Sequence, residues 1–284
     1  MSIILGIDVG GSTTKIIGIK DGQPSGMLQV SATDQITSMY GAIGNFLRGM
    51  DAGLSEVSTI ALTGVGASFI SEQVYGIKTI KVNEFHSIGY GALRLSGLDE
   101  ALVVSMGTGT AFVRAARDGI TRAGGSGVGG GAVIGLAAQI IGKSDIDAIL
   151  ALAAQGDLAN IDLSVRDIIG GDVPMLSPNL TAANFGKIKS TASESDLALG
   201  IINMVFETIG MLAVFALKND TIRDVVMTGT LATFPQLGPI LKSFSENFDL
   251  SFTIPPDAVF ATALGAALII QNTPPASRRT RRKT

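Results

Sequence analysis

The 284-residue chain contains no cysteine, which excludes disulfides, thiolate metal sites, iron–sulfur clusters and a catalytic thiol. Hydrophobic residues make up 46% and charged residues 16%, enough for a sizeable core and against disorder. The net charge of −3 includes the basic tail Arg278, Arg279, Arg281, Arg282 and Lys283, so the body is more acidic still and unsuited to nucleic acid.

In chain order, three strands are predicted first: Ile3–Asp8, Thr13–Lys20 and Met27–Ala32, with glycines 10 and 11 at one turn and Asp21-Gly22 at the next. The chain starts directly on an apolar strand with no leader pattern, which reads as cytoplasmic. A helix Asp34–Arg48, a strand Thr59–Thr63, a helix Ala67–Tyr75, a strand Thr79–Val82 and a helix Phe85–Leu95 follow. A second triplet is then predicted: Leu102–Met106, Ala111–Ala116 and Ile120–Ala123, with a turn at residues 107–110 and Asp118-Gly119 as its hairpin. After it come long helices near 132–153 and 194–217, a strand Arg223–Thr228, a helix Phe234–Asn247 and a strand Ser251–Ile254. Leu197–Leu217 is long and apolar enough for a membrane span. It carries Asn203, Glu207 and Thr208 near its middle, so it reads as a helix buried in a core or a subunit interface, with no membrane partner.

Strand, glycine turn, strand, Asp-Gly hairpin, strand thus occurs twice, about a hundred residues apart. Two like α/β domains, each offering a glycine turn to a shared space, make a cleft that can hold a polyphosphate. This plan resembles the actin-like superfamily of sugar kinases, chaperone ATPases and actin. The resemblance implies an α/β fold of duplicated ribonuclease H-like (actin-like ATPase) domains flanking an ATP cleft. The expected division is 1–98, 99–272 with a dimerisation helix, and a basic tail 273–284 that reads as a solvated terminus.

The first turn reads Asp8, Val9, Gly10, Gly11, Ser12, Thr13, Thr14, Lys15. Amides at such a turn can bond phosphate oxygens, the Ser and Thr hydroxyls add donors, and Lys15 offsets charge. Asp8, at a strand end, can hold Mg²⁺ directly or through water. The Gly-Lys-Ser/Thr ending of a Walker A loop is missing. In the second turn, Thr108 and Thr110 offer hydroxyls to a transferring phosphate or a polar substrate group. The glycine-rich run 124–131 precedes an apolar helix, whose N-terminus is a phosphate seat; it follows a hairpin, so its G-x-G-x-x-G spacing is not a dinucleotide fingerprint. Transfer to an alcohol needs a proton acceptor, and Glu84, just past a strand and opening a helix, is the candidate. His86, the single histidine, reads as structural or exposed. Arg122, before the glycine run, can stabilise phosphate or grip a carboxylate.

These residues, with Glu84-Phe85, Gly156-Asp157, the stretch 161–166 and Leu180-Thr181-Ala182-Ala183-Asn184-Phe185-Gly186, resemble the type II pantothenate kinases from about residue 3 to 270. The resemblance implies phosphorylation of pantothenate by ATP and Mg²⁺ at the first step of coenzyme A synthesis. It implies that Glu84 is the base, that Asp8–Lys15 and Gly130-Gly131 hold ATP phosphates, and that Thr108 and Arg122 lie against the substrates. It also implies that Gly229 and Thr230 belong to a nucleoside-contacting turn. A homodimer through the buried helix with Glu207 is expected, and coenzyme A or an acyl-CoA is a candidate inhibitor. Amino-sugar kinases on the same plan would share the glycine turns and differ in the substrate pocket. Dehydratase activators share the first strand motif but need cysteine ligands.

Overall fold

The computed structural model describes residues 2–70, 73–169, 178 and 180–272; the basic tail lies outside them. The chain divides into two compact units, Met1–Gly91 with the segment that begins at Phe260, and Ala92–Val259.

In the first unit, β1 (Ile3–Val9), β2 (Thr13–Lys20) and β3 (Gln23–Ser31) form an antiparallel meander. It is followed by α1 (Gln35–Gly49), β4 (Val57–Thr63), β5 (Thr79–Lys81) and α2 (Glu84–Ser96). The sheet order is β3-β2-β1-β4-β5, with β4 parallel to β1 and β5 parallel to β4. The β2–β3 hairpin closes through Asp21 and Gly22, both at positive φ (52° and 81°), a backbone shape that suits the right-handed twist of the paired strands. Alternation along β1 sends Ile3, Leu5, Ile7 and Val9 into a core with Met39, Ile43, Phe46 and Leu47 of α1. Asp34 caps α1 by accepting from the Thr37 amide at 2.7 Å.

The second unit repeats the plan. Its meander is β6 (Glu100–Met106), β7 (Thr110–Ala116) and β8 (Gly119–Ser126). Then come α3 (Gly130–Ile141), α4 (Ile146–Ala153), β9 (Leu163–Ser164), α5 (Val165–Ile168), β10 (Thr181–Ala183) and α6 (Glu194–Ala216). The unit closes with β11 (Asp224–Thr228), α7 (Leu237–Phe248) and β12 (Ser251–Thr253). The order β12-β11-β6-β7-β8 is that of the first sheet read from the other edge, with the same parallel and antiparallel pairs. The duplication expected from the two glycine turns therefore extends to the whole sheet.

The structure corrects the expected domain boundaries. A final helix, α8 (Ala261–Asn272), which the sequence reading did not include, packs on β1, β2 and β4 of the first unit, so the second unit ends near Val259 and not at 272. The reason is close backbone approach. A Cβ on Gly265 would overlap the Ser87 carbonyl, one on Gly91 would overlap that of Ala261, and one on Gly6 that of Ala263. Only glycine permits these contacts, and each joins segments far apart in the sequence.

Helix α6 is the axis of the second core. It is long and apolar enough to cross a membrane by length and composition, yet Ile201, Ile202, Val205, Phe206 and Ile209 are buried among Leu102, Val104, Met227 and other core residues. Its polar residues are partnered. Asn203 Nδ2 donates to Asp162 Oδ2 at 2.9 Å, and Glu207 accepts from Thr181 Oγ1 and Asn184 Nδ2, each at 2.7 Å. Asp162 Oδ1 also accepts from the Phe185 amide at 2.8 Å. Stretches 161–166 and 180–186, which carried a resemblance without an evident chemical reason, thus form the brace that satisfies the polar groups of this helix.

Four local expectations change. The helix predicted at Ala67–Tyr75 is replaced, among the described residues, by short 3₁₀ turns at Val65–Phe69 and Val74–Gly76, because Gly64 and Tyr75 take positive φ. The helix near 132–153 breaks at Gly142, which ends α3 in the left-handed conformation. The second hairpin turns at Arg117-Asp118, and Gly119 already pairs with Ala116. The glycine run is mostly ordered structure: Gly124 to Ser126 finish β8, and Gly130 and Gly131 start α3.

Candidate active site

Asp8, Lys15 and Thr63 are register partners at neighbouring strand ends, Asp8 opposite Lys15 on β2 and opposite Thr63 on β4. Directly paired residues project to one sheet face, so all three share it. All three are buried. Lys15 Nζ lies 3.8 Å from Asp8 Oδ2 and donates to Thr13 Oγ1 at 3.0 Å. Burial pushes the Asp8 carboxyl up, and the Lys15 ammonium pulls the other way without cancelling it. Glu84 is the first residue of α2, whose cap is Asn83: the Asn83 side chain accepts from the His86 amide at 3.1 Å. Burial raises the Glu84 carboxyl too, the Asp8 charge raises it further, and Lys15 lowers it. The sequence-predicted residues Asp8, Lys15 and Glu84 are therefore brought into one electrostatic cluster. His86 is exposed, as expected.

Within the first turn, Gly10 N donates to Thr13 O at 3.0 Å, while Gly11 and Ser12 are exposed. Among the described residues their amides have no hydrogen-bond acceptor, which leaves them free for an anion. Val9 is a core residue and can contribute only its backbone. Thr14 is buried on the opposite face from Asp8, and its hydroxyl has no partner among the described residues.

In the second unit the glycine turn is interlocked with the start of α3. Gly130 N donates to Gly107 O and Gly131 N to Thr108 O, both at 2.9 Å. The expectation that Gly130 and Gly131 hold ATP phosphates is narrowed here: both amides are already engaged by the turn, which leaves the positive end of the helix for an anion. Thr110 is likewise corrected as a substrate donor, since its hydroxyl is buried and donates to Val128 O at 2.8 Å. Thr108 and Arg122 are exposed, with the Arg122 guanidinium lying over Gly125. Gly229 sits at φ 87°, and a Cβ there would overlap the Met106 carbonyl, so the Gly229-Thr230 turn depends on glycine.

One element beside Asp8 was missed in the sequence, the segment 63–67, which repeats the pattern of the segment that carries the expected Gly229-Thr230 turn. Thr63-Gly64-Val65-Gly66-Ala67 and Thr228-Gly229-Thr230-Leu231-Ala232 share the pattern Thr-Gly-x-x-Ala. In each, the Gly has φ near 86°, a 3₁₀ turn follows, and the Ala amide donates to the Gly carbonyl at 3.1 Å. The repeated five-residue pattern was the available signal.

Comparison with solved structures identifies the architecture. The chain aligns over 94% of its length with 93% of the activator of the 2-hydroxyisocaproyl-CoA dehydratase from Clostridium difficile with bound ADPNP, at TM-score 0.67 and 14% identity. It aligns over 94% with 99% of a ROK family glucokinase from Streptomyces griseus in complex with glucose and AMPPNP, at TM-score 0.59 and 13% identity. The chain has the actin-like ATPase fold. Identities this low carry the actin-like fold alone. Sequence relatives go further. Residues 99–237 match the Fumble family model. The type II pantothenate kinase of Bacillus cereus (strain G9842) is 26% identical over 278 residues, 94% of this chain and 98% of the relative. The type II pantothenate kinase of Oceanobacillus iheyensis is 28% identical over 273 residues, 93% and 98%. The actin-like fold thus comes with sequence similarity to kinases along nearly the whole chain.

Proposed function

We propose that this protein transfers the terminal phosphoryl group of ATP to an alcohol, and that the alcohol is the 4′-hydroxyl of pantothenate. The observation that carries phosphotransfer is the cluster of Glu84, Asp8 and Lys15 beside a turn with free amides at Gly11 and Ser12. The choice of pantothenate rests on relatives named type II pantothenate kinase. The donor set suits magnesium: among the described residues no cluster of three or more metal-ligating side chains exists, and a single carboxylate is what Mg²⁺ takes when nucleotide phosphates and water complete its shell. Asp8 would hold it, and when bound it would neutralise charge on the transferring phosphate.

The chain's own residues do the rest. Amides of Gly11 and Ser12 and the hydroxyl of Thr13 orient the phosphates, and Lys15 offsets their charge. Gly229 and Thr230 contact the nucleoside. Thr108 and Arg122 face the acceptor. Glu84 takes the hydroxyl proton as the new O–P bond forms and the nucleoside diphosphate leaves. Coenzyme A and its thioesters contain the pantothenate moiety and are proposed to compete at the same site. The assignment places the enzyme in the cytoplasm, where ATP is available.

A coupled ATP assay across pantothenate and a panel of amino sugars tests the reading. Turnover with pantothenate alone is expected. Turnover with an amino sugar alone would move the substrate, and none with any alcohol would leave a nucleotide-binding protein.

A homodimer through α6 belongs to this proposal. Met204, Glu207, Thr208, Met211, Leu212 and Phe215 recur at helical spacing on its less buried side, and Phe215 is 62% exposed. Light scattering should report a dimer, and Met211→Lys with Phe215→Lys should give a monomer. A monomeric wild type would end the idea.

A further inference from the structure

Two buried hydroxyls occupy equivalent places in the repeat. Thr63 ends β4 opposite Asp8, and Thr228 ends β11 opposite Ser105. Each precedes a glycine at positive φ. Thr63 is 1% exposed and Thr228 is fully buried, and neither Oγ1 has a hydrogen-bond partner among the described residues. A buried hydroxyl without a partner costs desolvation free energy that valine, of the same shape and with equal liking for strands, would not. A second state in which the hydroxyl is bonded would offset that cost.

For Thr63 the geometry names the partner. Asp8 is its direct neighbour across the parallel pair, on the same face. The Asp8 carboxylate is flanked on one side by Lys15, 3.8 Å from Oδ2, and on the other by Gly64, where a Cβ would come within 2.5 Å of Oδ1. Oδ1 is thus turned toward the strand that carries Thr63. In the present arrangement Asp8 is paired with Lys15. When Lys15 turns to phosphate, that partner is withdrawn, and the nearest unused donor on the neighbouring strand is the Thr63 hydroxyl. In the second unit Ser105 stands where Asp8 stands in the first, so the direct neighbour of Thr228 on β6 is a serine and not a carboxylate.

We propose that Thr63 is a positioning residue: in the nucleotide-bound protein its hydroxyl donates to Asp8 Oδ1 and holds that carboxylate in the orientation that takes the divalent cation. The assignment rests on the phosphotransferase reading above, and it concerns cation affinity, not the proton transfer.

The test uses the full chain with AMPPNP, with and without Mg²⁺. Without ligand, Thr63→Val should melt at or above the wild-type temperature, since it removes an unpaired hydroxyl and keeps the shape. Its magnesium-free affinity for AMPPNP should be unchanged. The Mg²⁺ concentration that half-saturates AMPPNP binding should rise about tenfold, as expected for loss of a hydrogen bond to a charged group. Thr63→Ser should restore it. Thr228→Val should leave that Mg²⁺ midpoint where it was. A wild-type protein with no magnesium-dependent AMPPNP binding would overturn the phosphotransferase reading and this assignment with it. Wild-type binding with an unshifted Thr63→Val midpoint would overturn the assignment alone. So would an equal shift in Thr228→Val, or a lower melting temperature with both affinities reduced, which marks a structural role.

Discussion

Glu84→Gln is expected to lower phosphorylation of pantothenate by about 10²- to 10⁴-fold while nucleotide affinity stays near wild type. A primary alcohol is a poor nucleophile at neutral pH, and a carboxylate placed to take its proton assists as the bond to phosphorus forms. Glutamine keeps the size and hydrogen-bonding capacity of the side chain but cannot accept the proton. Because the transition state for phosphoryl transfer is loose, most of the remaining acceleration comes from positioning and charge, and those parts are untouched. Glu84 sits at the first position of α2, so the substitution also removes a charge favoured by the helix N-terminus. That loss is about 0.3–1 kcal/mol, too small to account for the expected drop in rate. Single-turnover rates and AMPPNP binding, measured on the same preparation, separate the alternatives. If both fall together, Glu84 is structural; if neither falls, the base is another group.

Asp8→Asn should reduce turnover by about 10²-fold or more, with a steeper dependence on Mg²⁺ concentration. The substitution removes the one carboxylate at the end of β1 and also withdraws the counter-charge from Lys15, which is buried and retains Thr13 Oγ1 at 3.0 Å. Leaving a buried ammonium without its carboxylate lowers stability as well. The comparison therefore has to be made below the melting temperature of the variant, with circular dichroism as the check on folding. An Asp8→Asn protein that is folded and fully active would remove Asp8 from the site, and with it the role given to Thr63.

The two residues differ in what they report. Glu84 reports proton transfer and should leave the metal requirement alone. Asp8 reports the metal and should change it. A pair of variants with the same kinetic signature would mean that the cluster acts as one electrostatic unit, and that single-residue roles are too fine a division.

The sequence by itself determined the repeated meander and the place of Asp8, Lys15 and Glu84. Runs of β-branched residues broken by glycine turns are local signals, and a short turn keeps Asp8 and Lys15 near each other on adjacent strands; that Asp8 faces Lys15 directly is a matter of register that the structure decided. Glu84 was legible for the same reason, because a strand end followed by a helix start places the first helical residue beside the strand's carboxyl end. The tertiary structure alone decided what depends on partners remote in the chain. The return of α8 to the first unit rests on glycine contacts at Gly6, Gly91 and Gly265, and their neighbours are invisible until the helices pack. Whether Gly130 and Gly131 have amides to offer depended on whether the turn at Gly107-Thr108 reached them first. Thr63 entered the site only through the parallel pairing of β4 with β1, which no local pattern specifies, since parallel partners are chosen by the burial of both sheet faces.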